Sequence, residues 1–302
     1  MDQRMSAVDW ALLVVLSTVW GGSFFFFEVA LDTLPPFTVV LGRVGIAAVV
    51  LLVLARARGE RLPTAPRVLA GYLLLGATSN ALPFSLIVWG QTQIPSGLAS
   101  ILNAMTPVFA VLVGLLIGRE ERLTPARAAG VALGFAGVAV LMGPDLLRRL
   151  DPYSLGQLAV LGAACSYGFA VHIGRRFGGA TPLVNAAYML TASTLLLLPV
   201  TLIVDQPWTL TPGVSGWTAL LGLSLLCTAF AYLLYFRILA SAGATNMSLV
   251  TFLVPVSAIS LGALFLGERL GPTAFAGLGI IFTGLAVMDG RAADWLRRRL
   301  AG

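Results

Sequence analysis

The sequence predicts an all-α integral membrane protein, ten transmembrane helices built as two inverted five-helix repeats. Three observations predict it. Of the 302 residues, 58% are hydrophobic and 11% charged, with a mean hydropathy of +0.92, whereas a soluble domain carries about a quarter charged residues. The apolar residues fall into ten blocks, each near the roughly 20 residues that a hydrocarbon core about 30 Å thick demands of a helix. The second half of the chain repeats the first, which marks a duplicated unit.

Read between breakers, the blocks run 10–30, 36–55, 68–90, 96–117, 126–143, 154–174, 182–203, 214–237, 243–266 and 272–289. The first follows only Arg4 and ends in Phe24-Phe25-Phe26-Phe27-Glu28 without a small-residue cleavage site, so it is expected to be retained as a helix. Pro35 and Pro36 open the second, and the third lies between Arg67 and Gln91. Pro95 precedes the fourth and Gly118 follows it; Pro125 and Gly143 bracket the fifth. Pro152 and Arg175 bound the sixth, Pro182 and Asp205 the seventh, and Gly213 and Arg237 the eighth. Gly243 opens the ninth, Gly267 closes it, and the tenth starts on Pro272. Proline and glycine punctuate helices in this way because neither propagates the regular backbone well.

All nineteen cations are arginine, and their placement orients the chain. With the N-terminus inside, the inner segments hold Arg4; Arg56, Arg58, Arg61 and Arg67; Arg119, Arg122 and Arg127; Arg175 and Arg176; Arg237; and Arg291, Arg297, Arg298 and Arg299, fifteen in all. The outer connections hold Arg148, Arg149 and Arg269, and Arg43 lies within the second span. That bias is the positive-inside pattern and puts both termini in the cytoplasm. The net charge of +6 is thereby read as topology, not as a nucleic-acid surface. Cys165 and Cys227 sit in apolar runs with no CxxC motif and read as small packing residues.

An offset of 147 aligns 121–143 with 268–290 at eleven of 23 positions: Glu121/Glu268, Arg122/Arg269, Leu123/Leu270, Pro125/Pro272, Ala129/Ala276, Gly130/Gly277, Phe135/Phe282, Gly137/Gly284, Ala139/Ala286, Val140/Val287 and Gly143/Gly290. Upstream, an offset of 148 aligns Ser100/Ser248, Pro107/Pro255, Ala110/Ala258 and Gly114/Gly262 among others. The chain is therefore expected to divide into a first unit, 1–146, and a second, 147–302. Five spans per unit is an odd number, so the second copy enters the bilayer upside down. Such symmetry suits alternating access around a shared central site.

The Trp20-Gly21 pair, Arg43, the mid-span Pro107 and Pro255, and Glu-Arg-Leu-x-Pro followed by Gly at 121–130 and 268–277 resemble the drug/metabolite transporter superfamily, in its ten-span EamA-type branch. The resemblance covers residues 10 to 290. The first-repeat junction departs from the pattern, reading Gly118-Arg119-Glu120-Glu121 against Gly267-Glu268, so Glu120 and Glu121 both compete for the family glutamate. The resemblance implies export of small metabolites, often amino acids, from a cavity lined by spans one, three, four, six, eight and nine, in the inner membrane of a bacterium.

Within the spans, charged and polar residues mark the candidate site because burying them in lipid is costly. Arg43, about 10 Å below the outer end of span two, is either a carboxylate anchor or gate, or a cation holding two helices together, with Glu28 near enough to neutralise it. Pro107 and Pro255 stand at matched positions as hinges, and each frees the carbonyl four residues earlier, on Asn103 and Thr251. The expected substrate-binding set is Trp20, Arg43, Ser79, Asn80, Phe84, Asn103, Tyr167, Tyr232 and Thr251. Apolar walls carrying a few amides and hydroxyls suit a neutral or zwitterionic solute with an apolar side chain. Asn80, Asn103, Asn185 and Asn246 have an alternative role as hydrogen-bonding glue between helices. Gly130, Gly134, Gly137, Gly277 and Gly284 read as close-packing positions between the repeats or at a dimer face. His172, beside Arg175 and Arg176, reads as an interfacial residue or a proton relay, and the basic tail as a segment lying on anionic lipid.

No GxxxxGK[ST] run occurs, so transport is expected to be secondary rather than ATP-driven. One histidine, no GxSxG and no HExxH leave an intramembrane enzyme without its chemistry. A phosphate-ester carrier would want several buried cations, and only Arg43 is available. The sequence reading is thus a carrier of small amphipathic metabolites, foremost neutral and aromatic amino acids, with drugs, amines or nucleosides as the alternative cargo. It expects a small-molecule substrate and the lipid bilayer as partners, no nucleic acid, no cofactor, no metal, and action as a monomer.

Overall fold

The computed structural model describes residues 5–118, 123–143, 151–174 and 180–289. Arg4, Arg119, Glu120, Glu121, Arg122, Arg148, Arg149, Arg175, Arg176, the tail from Arg291 to Arg299 and the expected boundary at 146 lie outside the described residues.

Among the described residues, ten long helices are found: α1 (Ala7–Leu31), α2 (Pro36–Ala57), α3 (Pro66–Gln91), α4 (Ser96–Leu116), α5 (Pro125–Met142), α6 (Pro152–Gly174), α7 (Pro182–Val204), α8 (Val214–Gly243), α9 (Val250–Phe265) and α10 (Pro272–Asp289). All but α9 are long and apolar enough to cross a membrane. Six begin on proline, a residue suited to the first helical position because its missing N–H has no helical acceptor to lose. Ser6 caps α1 in a reciprocal box with Asp9, and Thr124 and Thr181 cap α5 and α7. Asp151 accepts from the Ser154 N–H at 2.8 Å at the head of α6, and this bonding holds its carboxyl below the usual carboxylate range.

Two boundaries differ from the sequence reading. The eighth helix continues past Arg237 to Gly243, where a backbone φ of 79° ends it. Span nine was expected from 243; residues 244–247 are helical after the kink at Gly243, a turn interrupts the helix at Ser248 and Leu249, and α9 runs on from Val250.

The α2 N-terminus has no side-chain cap of its own. Asp205, at the end of α7, supplies one, accepting from the Thr38 N–H at 2.6 Å and the Thr38 hydroxyl at 2.9 Å. Asp205→Ala is expected to lower stability by about 1 kcal/mol, the usual worth of a cap, read as a lower detergent melting temperature with Thr38→Ser unaffected.

The helices pair in a pattern that survives exchange of the first five for the last five. α2 lies antiparallel to α7, with Gly45 beside Thr194 and the Phe37 carbonyl accepting from Thr201. α5 lies antiparallel to α10. α1 runs parallel to α9, the Ser257 hydroxyl donating to the Ser17 carbonyl at 2.8 Å and Leu261 flanking Gly22. Its counterpart is α4 parallel to α6, with Ile94 against Gly156 and the Ala110 carbonyl 2.8 Å from His172 Nε2. α3 against α6 is likewise matched by α8 against α1.

The α5–α10 crossing is the tightest. A Cβ on Gly130 would stand 2.5 Å from the Gly284 carbonyl oxygen, and one on Gly137 would stand 2.8 Å from that of Gly277. These contacts exchange under the sequence repeat, Gly130 corresponding to Gly277 and Gly137 to Gly284. The glycines therefore join α5 to α10. Gly134 is packed differently, against Val108 and Met105 of α4.

Three helices are irregular where the site forms. α4 is helical over Ser96–Asn103, turns at Ala104 and Met105, and resumes over Thr106–Leu116. α3 widens into a π-helix over Ala77–Ala81, and α8 over Gly222–Phe230. The 148-residue offset puts 77–81 onto 225–229, so the widening recurs in both halves and makes Asn80 and Thr228 equivalents, as it does Phe84 and Tyr232. Such bulges reorient side chains by inserting a residue into the turn, and they are frequent at functional sites.

Candidate functional site

The centre of the site is the Arg43 guanidinium, held by three helices. Its side chain is 4% exposed. Nε donates to Thr228 Oγ1 at 2.9 Å, and Nη2 lies 3.4 Å from both Ser23 Oγ and the Cys227 carbonyl oxygen. Thr228 is positioned for this by the π-turn of α8, its hydroxyl lying 2.8 Å from the Leu223 carbonyl five residues back. Two rings cover the guanidinium, Phe84 at 3.9 Å and Phe27 at 4.9 Å from its carbon to the ring centroids. Cation–π contacts of this kind partly replace the lost hydration of the charge.

The expected Glu28 partner is overturned. Glu28 instead accepts from Gln91 Nε2 at 3.3 Å, and the same amide nitrogen donates to the Phe24 carbonyl at 2.9 Å. Among the described residues, no carboxylate reaches Arg43, and Nη1 makes no hydrogen bond. A buried cation without an anion costs several kcal/mol, and the three polar contacts and two rings offset only part of that.

The remaining candidates divide. Tyr167 and Tyr232 lie within electrostatic reach of Arg43, the Phe84 and Tyr167 centroids are 6.5 Å apart, and the Tyr232 hydroxyl donates to Asn80 Oδ1 at 3.3 Å. A run of rings continues from Tyr232 to Phe236 at 6.0 Å, from Phe236 to Tyr235 at 5.1 Å and from Tyr235 to Trp20 at 5.8 Å. Arg43, Phe84, Tyr167, Tyr232, Asn80 and Trp20 are thus brought together. Ser79, Asn103 and Thr251 make no described contact with this group.

The carbonyl expected to be freed at Asn103 is occupied by the Thr106 hydroxyl at 2.8 Å, because the helix break lets that side chain fold back. Asn103 Oδ1 and Asn80 Nδ2 are instead among the buried polar atoms for which no partner is found in the described residues. Pro107 is the second residue of the resumed half of α4, and Pro255 lies inside an unbroken α9. In both repeats the backbone interruption comes before the proline. His172 is buried and faces the Ala110 carbonyl, tying α6 to α4. Asn185 accepts from the Tyr72 hydroxyl at 2.6 Å, bridging α3 and α7 as glue. Ser23, Phe27 and Cys227 were missed, since nothing in an apolar run shows which residues turn toward a distant arginine.

A cavity of about 250 Å³ lies between α1, α8 and α9, walled by Phe25, Phe26, Leu226, Leu261 and Phe265, and reaching Cys227, whose carbonyl contacts Arg43. Around this geometry the arrangement can hold an anionic group on Arg43 and an apolar one among the rings.

A model described as the EamA-like transporter family matches residues 8–143 and again 154–288. Over 99% of its length the chain is 30% identical to a probable terminal-alkyne amino-acid exporter of Streptantibioticus cattleyicolor, covering 98% of that protein. It is 26% identical to an uncharacterized inner membrane transporter, YedA, of Escherichia coli K12, across 89% of this chain and 86% of that one. A crystal structure 21% identical in sequence superposes with a TM-score of 0.66, covering 94% of this chain and 98% of the other, and so shares the fold.

Proposed function

Because this chain belongs to the EamA-like transporter family, we propose that it is a secondary carrier exporting small amphipathic carboxylates, foremost neutral and aromatic amino acids, across a bacterial inner membrane. The observation that carries this reading is the buried Arg43 without a carboxylate partner among the described residues. A substrate carboxylate at Nη1 supplies the missing anion, and Asn80 Nδ2 offers a second donor. The substrate's apolar side chain lies along Phe84, Tyr167, Tyr232 and the rings that lead on to Trp20. The name of the relative from Streptantibioticus cattleyicolor supports an amino-acid cargo, and that of YedA supports the inner membrane.

The two units, 1–146 and 147–302, act as inverted repeats in this proposal, with both termini cytoplasmic. Their support is the antiparallel run of α2 beside α7 and of α5 beside α10, each helix lying next to its own sequence counterpart. Alternating access then follows from exchanging the conformations of the two units, with the interruptions before Pro107 and Pro255 as hinges. The first half of α4 packs on α9, whereas its second half packs mainly on α6 and α5. With the arginine bias setting the sides, α4 and α9 meet outside and part inside, the state that loads cytoplasmic substrate.

The test is counterflow of labelled neutral and aromatic amino acids in proteoliposomes, challenged by the matching decarboxylated amines. Carboxylate-bearing solutes are expected to exchange and to compete with one another, and the amines are expected not to. Equal competition by the amines sinks the carboxylate reading and leaves a carrier of amines or uncharged solutes.

A further inference from the structure

We infer that Glu268 is the outer latch of the carrier, a positioning residue that sets the balance between inward-open and outward-open states without touching substrate. The inference rests on the carrier reading above and goes beyond it in naming what holds one side shut.

Glu268 follows α9 at a reversal made by Gly267, whose φ is 66°. Its carboxylate spans the start of α4, Oε1 accepting from the Ser96 N–H at 2.7 Å and Oε2 from the Gly97 N–H at 3.0 Å. α4 has no side-chain cap of its own, so this residue from the other half of the chain supplies the anion that a helix N-terminus favours. The Glu268 N–H in turn donates to the Gly262 carbonyl at 3.0 Å, fastening the loop to the last turn of α9. The carboxylate fits because Gly262 lacks a side chain: a Cβ there would lie 2.6 Å from Oε2.

Among the described residues, these two bonds are the polar link between α4 and α9. They sit at the end where the two helices touch, and the other half of α4 has already left α9. Opening the outer side therefore requires both bonds to break together. A glutamine of the same shape turns one acceptor into a donor and sets it against a backbone N–H. By ordinary values for charge-assisted hydrogen bonds, this shifts the open-to-closed ratio at least about tenfold.

Ser100, buried and one turn along α4, gives a probe that needs no substrate. The full-length chain with Ser100→Cys is treated with a membrane-impermeant maleimide in right-side-out and inside-out vesicles, and the parent chain reports the background from Cys165 and Cys227. Adding Glu268→Gln is expected to speed labelling from the outside about tenfold. Gly262→Ala, which displaces the carboxylate but keeps its charge, is expected to do the same, and Glu268→Asp to fall between. A cap serving stability alone would instead slow turnover and lower the melting temperature with the sidedness of labelling unchanged. That outcome, in protein that elutes as a folded species, overturns the latch whether or not any amino acid is transported. If the carrier reading alone is wrong, labelling still shifts and counterflow is absent.

Discussion

Replacing Arg43 with glutamine is expected to reduce exchange of carboxylate-bearing solutes by about 10- to 100-fold, the range implied by one charge-assisted hydrogen bond at about 1.5–3 kcal/mol. The folded protein should survive the change. Arg43 is buried with three hydrogen bonds, two covering rings and no anion among the described residues, so removing its charge relieves a desolvation cost as well as losing contacts. A melting temperature equal to or above that of the wild type, with counterflow lost, is the signature of a substrate anchor. Arg43→Lys keeps the charge but not the fork of donors, and should retain a fraction of the activity with a raised half-saturation concentration. A variant that unfolds while residual folded protein transports at the wild-type rate would make Arg43 a structural cation instead.

Gly137→Val is expected to abolish the folded protein. The added Cβ would meet the Gly277 carbonyl oxygen at 2.8 Å and the Ile281 nitrogen at 2.9 Å, and backbone atoms cannot rotate aside as a side chain does. Overpacking costs about 1–3 kcal/mol even where neighbours relax. Here relief requires separating α5 from α10. Fluorescence-detected size exclusion should show aggregate in place of a single peak, with Gly277→Val behaving alike. Gly279→Ala is the control, since a Cβ there meets nothing within 4 Å and should leave the profile unchanged. A normal elution profile for Gly137→Val would mean that the crossing is loose.

Much of the candidate site was legible because polar and aromatic residues are conspicuous in apolar spans. Arg43, Asn80, Phe84, Tyr167, Tyr232 and Trp20 were named on those grounds and lie in one connected group. The reading failed where it inferred contacts from depth alone. Glu28 and Arg43 share the outer third of neighbouring helices, yet each bonds to a different helix, Glu28 to Gln91 of α3 and Arg43 to Thr228 of α8. Asn103 failed in a second way. The proline rule freed its carbonyl, and a local turn handed that carbonyl to Thr106.

Hydropathy and internal repetition determined the helical class and the order of the spans, because an apolar segment long enough to cross a bilayer is recognised as a whole from its composition. Which side chains meet was decided only in three dimensions. Most of these helices are apolar on nearly every face, so no amphipathic period tells which face turns inward. A hydrogen bond depends on helix rotation and crossing to a fraction of an ångström. The bond from Arg43 to Thr228 spans 185 residues and that from Ser96 to Glu268 spans 172, and both arise from packing between the halves rather than from anything either segment carries alone.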